Sequence, residues 1–441
     1  MAMTQRLLIR NARVWVAADR EPIPRGEVLL EGERIVEVGR RLHARADVRV
    51  DADGCLAMPG FVQTHVHLCQ TLFRHAAEDE PLLPWLRRRL WPLEAAHDES
   101  SIRASARLAC AELIRGGTTT FLSMETVRHT DAVMETVEAT GLAGIVSHCL
   151  MDETCGYAPL AVPVEDGLAD CEVLRRRWAG HPRLGVAVAP RFALSCSEAS
   201  LREAAAYARD RGLRLHTHAS EQAAEVEEVI RRTGRRNVEY LHHVGISGSD
   251  VCLAHCVHVS ESEQRRLADT GSHVLHCPSA NAKLGSGIAP VPELLERGVS
   301  VSLGADGAAC NNRLDMFEEM RMAGLLQKLR LGPAALPARE IVRLATEGGA
   351  RALGMEREIG TLEPGKRARL ILVNLSGFHV LPFEDPATAL VYAARADDVA
   401  MTIVDGRILF EDGHLTTIEE EALRREALAQ RRKVLARAEL A

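Results

Sequence analysis

The spacing of apolar and polar positions changes character along the chain. Residues 5–57 alternate the two in short runs, "RLLIRNARVWVA", "GEVLLEGERIVEVG" and "ADVRVDADGCLAM", each stopped by Gly, Asp or Pro. A period of two between such turn residues predicts antiparallel strands of a small sheet. The same style returns in "GKRARLILVNL" (365–375) and "VAMTIVDGRILFEDGHL" (399–415). The two ends of the sequence are therefore expected to complete one β domain around a middle segment. "EEEALRREALAQRRKVLARAELA" (419–441) reads as a charged amphipathic helix whose basic residues form a solvated face.

The middle segment alternates short β-type runs with longer helical stretches. Eight β-type runs occur: "GFVQTHVHL", "GTTTFLSME", "GLAGIVSHCLMD", "RLGVAVAPRF", "GLRLHTHASE", "DVCLAHCVHV", "GSHVLHCPSAN" and "VSVSLGADGAA". Helical stretches such as "SEASLREAAAYARDR" and "SESEQRRLADT" separate several of them, with Ser or Glu near their starts and Gly near their ends, as caps require. Eight alternations point to a parallel (β/α)8 barrel. An open doubly wound sheet has fewer strands and a Gly-rich phosphate turn, and no GxGxxG follows the first strand here. The expected fold is α/β: a TIM-type barrel over residues 58–364, with a small β-sandwich domain and its C-terminal helix built from 1–57 and 365–441.

Composition narrows the partners. The 441 residues are 46% hydrophobic and 26% charged, enough for one large domain and a smaller one. Lys and Arg number 54 against 61 Asp and Glu, a net charge of 54 − 61 = −7 without a long run of one sign. That argues against nucleic acid or an acidic membrane surface and for a small, neutral partner. Eleven cysteines, an odd number with no CxxC pair, suggest reduced thiols in the cytoplasm. The opening "MAMTQRLLIRNARVWVA" has no signal-peptide pattern, and no run reaches the length of a membrane span. A homo-oligomer is left open.

In a barrel the chemistry sits at the C-terminal ends of the strands. His65 and His67 end the first strand, His218 and Glu221 the fifth, His255 the sixth and Asp306 the eighth. Alternation along a strand turns His65 and His67 to the same side, toward the barrel mouth. Imidazole and carboxylate groups converging there suit a divalent cation such as zinc, with iron and manganese equally compatible. Each histidine taken singly reads as a hydrogen-bonded core residue; six such residues at strand ends of one barrel read as a metal site. His216, two before His218, fits either a residue behind the metal or strand packing. His258, His273 and His276 default to packing, His276 and Asn281 shape the mouth, and Asp315 belongs to loop structure.

These residues carry a resemblance. "MPGFVQTHVHL", "HTHASE", "LAHCVHV", "HCPSANAKLGSGIAPVPELLERGVSVSLGADGAACNN" and "ATEGGARALG" resemble the amidohydrolase superfamily, in its branch of aminohydrolases and chlorohydrolases acting on purines, nucleosides and triazines. The resemblance runs nearly end to end. It implies that His65, His67, His218 and Asp306 hold one metal ion and that His255 binds the metal or its water. Asp306 would take a proton from water, His255 would steady developing charge, and Glu221 would protonate a ring nitrogen. Chlorohydrolases of this branch can lack the acid at the Asp306 position, so the pairing of Asp306 with Glu221 points to loss of an amine.

The substrate is read from three places. "AEDEPLLPWLRRRLWPLEAAH" resembles the loop of deaminases acting on methylthioadenosine and S-adenosylhomocysteine, which implies an aromatic contact at Trp85 and a sugar contact at Glu94. "APRFALSCSE" and Gln70 resemble guanine deaminases instead, with Arg191, Phe192 and Gln70 reading or stacking on the base. The expected activity is hydrolytic deamination of a 5′-modified adenosine, with a guanine or 8-oxoguanine type second and an aminotriazine third. A non-catalytic barrel stands as the reading from another class, to be recognised by absence of metal.

Overall fold

The computed structural model describes residues 5–152 and 157–440. The eight apolar runs of the middle segment each form a strand, Phe61–His67, Thr118–Met124, Ala143–Leu150, Leu184–Pro190, Leu215–Ala219, Val251–His255, His273–His276 and Ser300–Leu303. They pair in parallel, each with its neighbour in sequence. The eighth strand resumes at Asp306–Gly307, which pairs in parallel with Val66 and His67 of the first strand. That last pairing closes the barrel.

Burial explains why these strands are apolar throughout. Both faces of a parallel barrel strand are covered, and Phe61–His67 is buried at every position. The interior is packed by Val62, Leu122, Ala187, Cys252, Ala254 and Leu275 from five strands. Ala350, Ala352, Leu353 and Ile359 plug the end away from the histidines. Helices wrap the outside, and their caps follow from sequence: Ser197 accepts from Ser200 N to start Glu198–Asp210, and Ser260 with Glu263 makes a capping box for Glu261–Thr270.

Both ends of the described chain contribute to one nine-stranded mixed sheet, whose own core is drawn from Ile9, Val28, Leu30, Leu370, Leu372 and Ile403. The expectation of antiparallel pairing is corrected here. Arg6–Val14 pairs in parallel with Val48–Asp51 and Cys55–Pro59, and antiparallel pairing holds for the hairpins and for the join between the chain halves. A buried ion pair, Arg369 Nε to Asp405 Oδ1 at 2.8 Å, ties this sheet to the barrel, because Arg369 Nη1 also donates to Thr120 Oγ1 of the second barrel strand. The basic face of the helix Glu420–Arg437 is largely exposed, as expected at Arg424, Arg425, Arg432 and Lys433, while Arg431 and the exposed Arg437 also donate to backbone carbonyls of the barrel segment. Among the described residues no helix is long and apolar enough to cross a membrane.

Candidate active site

Four histidines gather at the C-terminal mouth of the barrel. His65 and His67 share one face of the first strand, their ring centroids 4.8 Å apart. His218 lies 4.8 Å from His65 and stacks parallel to His67 at 5.4 Å, and His255 lies 5.4 Å from His218. Each ring is held from behind through Nδ1. His67 Nδ1 donates to Met124 O at 2.7 Å and His218 Nδ1 to Arg191 O at 2.8 Å. A carbonyl accepts only, so both rings carry their hydrogen on Nδ1 and present an Nε2 lone pair inward. His255 Nδ1 is set by Asn281 Oδ1 at 2.8 Å, and His65 Nδ1 pairs with His216 Nε2 at 2.8 Å, backed by Ser147 Oγ at 3.2 Å.

Asp306 faces this cluster from the eighth strand. Its Oδ1 is 3.3 Å from His65 Nε2 and 3.1 Å from His67 Nε2, and its Oδ2 is 3.9 Å from His255 Nε2. The backbone is bent to achieve this: His255 and Asp306 adopt left-handed φ of 72° and 62°. Such conformations cost a non-glycine residue on the order of 1 kcal/mol and concentrate at functional sites. Gly304 permits the approach, since a Cβ there would sit 2.6 Å from His65 O and 2.7 Å from His65 N.

The donor set fits a divalent cation. His65 Nε2 and His255 Nε2 are buried without a hydrogen-bond partner, an arrangement that is costly for a protein alone and relieved by a bound cation. Ligand atoms of His65, His218, His255 and Asp306 all lie within 4.8 Å of one another. Burial pushes His65 down to about 4 and His216 and His218 well below the usual histidine range, so the rings are neutral. Burial opposes the charge of Asp306, but the surrounding His65, His67 and His255 hold its carboxyl well below the usual carboxylate range. Neutral imidazoles and an ionised aspartate are the forms that bind metal. These donors, together with His67 Nε2 at 3.1 Å from Asp306 Oδ1, give five inward-facing groups from which the ligands of a cation can be drawn.

Glu221 follows the fifth strand, its Oε2 3.5 Å from His255 Nε2. Burial, reinforced by the charges of Asp306 and Glu225, raises its carboxyl well above the ordinary value and so favours its protonated form. A pocket opens over these groups, with His67, His218, Glu221 and Asp306 on its floor. Leu82, Trp85, Leu86 and Leu90 roof it, with Phe192 and Leu284 at the side. Of the five predicted substrate contacts, Gln70, Trp85, Arg191 and Phe192 line this space. Glu94 stands behind: Arg191 Nη1 donates to its Oε2 at 2.6 Å, Arg191 Nη2 to its Oε1 at 3.1 Å, and Gln70 Nε2 to its Oε1 at 2.9 Å. With its amide nitrogen facing a carboxylate, Gln70 leaves Oε1 buried and without a partner.

Sequence reasoning missed Asn281 as the group that orients His255, because it arrives from the short helix Pro278–Lys283 that follows the neighbouring strand. It left His216 undecided, and the "HTH" spacing was the available signal. His258 Nε2 donates to Ser286 O at 2.7 Å, His273 Nε2 to Ser249 O at 3.1 Å, and Asp315 caps the helix Met316–Leu331, so all three serve local structure.

Residues 56–409 match the Amidohydrolase family. The chain is 42% identical over 417 residues to a 5-methylthioadenosine/S-adenosylhomocysteine deaminase of Syntrophobacter fumaroxidans, covering 93% of this chain and 94% of that one. It is 43% identical over 410 residues to a 5′-deoxyadenosine deaminase of Methanothermobacter thermautotrophicus, covering 91% and 93%. Among solved structures it resembles an adenosine deaminase from Xanthomonas campestris with bound zinc, at a TM-score of 0.92 and 30% identity over 98% of this chain and 99% of that one.

Proposed function

The chain belongs to the amidohydrolase family, and from that membership we propose that it is a metal-dependent aminohydrolase converting a 5′-modified adenosine and water into the inosine-type nucleoside and ammonia. One geometric observation carries the chemistry: inward-facing imidazole nitrogens meet the Asp306 carboxylate on the floor of a pocket that also holds the Glu221 carboxyl, 3.5 Å from His255 Nε2. The relatives supply the substrate class. Zinc is the proposed ion, supported by the zinc of the Xanthomonas structure, and a cytoplasmic setting is supported by the free cysteines.

In this reading His65, His67, His218 and Asp306 hold the cation and His255 Nε2 orients the attacking water. When bound, the cation supplies Lewis acidity that lowers the pKa of water toward neutrality. Asp306 receives at Oδ2 the proton that water gives up as it adds to C6 of the purine. Glu221 delivers its proton to N1 and takes up the proton of the new C6 hydroxyl as the carbonyl forms, while Asp306 passes its proton to the amine, which departs as ammonia. Leu82, Trp85, Leu86 and Leu90 exclude bulk water and offer apolar surface to the 5′ substituent. Gln70 Oε1 offers an acceptor to a substrate hydroxyl or amine, and Glu94, behind that wall, holds Gln70 and Arg191 in place instead of meeting the sugar.

Arg191 argues against the guanine-type alternative. Both of its Nη groups are committed to Glu94, so its charge is neutralised before a base carbonyl could reach it. The paired wall suits a neutral nucleoside, and 5′-deoxyadenosine and 5′-methylthioadenosine fit it better than a substrate with a charged tail. Ammonia release from purified, zinc-loaded protein with these nucleosides, set against guanine and 8-oxoguanine, tests the reading; activity confined to the free oxopurines would reject it.

A further inference from the structure

The loop that roofs the cavity is tied down at both ends by one distant helix. It leaves the first barrel strand through the helical turn Leu68–Phe73, which carries Gln70, and re-enters the barrel through Trp91–Ala95, which carries Glu94. Between them run the roof residues Leu82, Trp85, Leu86 and Leu90. Both short helices end with carbonyls that no later turn can satisfy. Arg431 Nη1 donates to Leu72 O at 2.5 Å and to Arg74 O at 2.7 Å, at the end of the first. Arg437 Nε donates to Ala96 O at 2.7 Å, at the end of the second, while its Nη1 reaches Asp98 Oδ2 at 2.9 Å. A guanidinium suits this position, because it satisfies exposed carbonyls and places positive charge at the negative end of a helix.

The two arginines are six residues apart on Glu420–Arg437, about 9 Å along its axis. That helix is itself held to the barrel helix Glu99–Arg115, with Arg107 Nη1 donating to Glu426 Oε2 at 2.6 Å and Leu423, Ala427 and Val434 buried. It therefore acts as a rigid bar. At the cavity the two fastened ends meet again, because Gln70 Nε2 donates to Glu94 Oε1.

We propose that Arg431 and Arg437 are positioning residues that clamp both ends of the roof loop, and so hold Gln70, Trp85 and Glu94 in register over the metal site. They touch no substrate and act through the loop. The inference rests on the deaminase reading only for its kinetic arm, since the state of the loop is measurable without substrate.

The test uses the full-length, zinc-loaded protein with Arg431→Met, Arg437→Met and the double variant. Arg432→Met serves as control, because Arg432 is exposed and, among the described residues, donates only to Leu428 O, within its own helix. Hydrogen exchange is followed in segment 75–95, in helix 420–437 and in the barrel strands. The double variant is expected to exchange about tenfold faster in 75–95, with the helix and strands unchanged. KM for 5′-methylthioadenosine should rise about tenfold with kcat within about twofold, and lysine at both positions should restore part of the loss. Unchanged exchange in 75–95 would overturn the proposal. So would faster exchange of helix 420–437 itself, which would mean that the arginines hold the helix and not the loop. If the wild type deaminated no adenosine nucleoside, the functional reading would fall while the exchange result still decided the clamp.

Discussion

Replacing Arg191 with methionine should do more damage than loss of one surface charge, because of where its partner sits. The side chains of Arg191 and Glu94 are 4% and 0% exposed, so water does not screen them. Burial alone would favour loss of the guanidinium proton, but the attraction of Glu94 outweighs it and keeps Arg191 charged. In Arg191→Met, Glu94 keeps one hydrogen bond, from Gln70, and otherwise becomes an uncompensated buried charge. Breaking a buried pair this way costs about 3–5 kcal/mol, whereas removing both partners costs far less. Urea unfolding of the wild type, Arg191→Met, Glu94→Leu and the double variant forms a cycle whose coupling energy should exceed about 2 kcal/mol. Arg191→Lys should recover only part, since an ammonium cannot reproduce the two-pronged contact. A cost below about 1 kcal/mol for Arg191→Met, or a cycle that adds simply, would refute the view that the pair is a locked unit.

Other changes separate the remaining roles. Glu221→Gln should keep its metal, measured by elemental analysis, and lose turnover by about 10²–10⁴-fold, as expected for removal of a proton donor; full activity would rule out that role. Gly304→Ala forces a Cβ to within 2.6 Å of His65 O, so it should lower metal content and activity together, and retention of both would show that the strand can shift. Burial raises Glu319 to about 8 against an ordinary 4.5. The protonated form is favoured by folding, so its stabilisation is complete below pH 4.5 and is lost as pH rises to about 8, at about 1.4 kcal/mol per pH unit within that window. Glu319→Gln should flatten the stability profile over that range, and parallel profiles for the two proteins would contradict the assignment.

The barrel was legible because each of its strands is a short apolar run bounded by turn residues and followed by a helical period. His65 and His67 were legible through a period of two, and Glu221, His255 and Asp306 because barrel chemistry collects at strand ends. What escaped was non-local. The parallel pairing of Arg6–Val14 with Val48–Asp51 has no local trace, since alternation looks the same in either direction. The left-handed backbone at His255 and Asp306 leaves no mark in residue type, and neither does a contact between Asn281 and a ring one strand away. Arg191 was read as a base contact because guanidinium groups suit ring carbonyls; Glu94, which neutralises it, lies 97 residues away in sequence. The contacts of Arg431 and Arg437 left no trace because a guanidinium bonded to distant carbonyls is indistinguishable, in sequence, from one wholly in water.

The most direct measurement is ammonia release by the zinc-loaded protein presented separately with 5′-deoxyadenosine, 5′-methylthioadenosine, guanine and 8-oxoguanine. Turnover of the two nucleosides, abolished by chelation and restored by zinc, is the expected result. Turnover of the oxopurines with none of the nucleosides would contradict it, and would return Arg191 and Phe192 to the role of base readers.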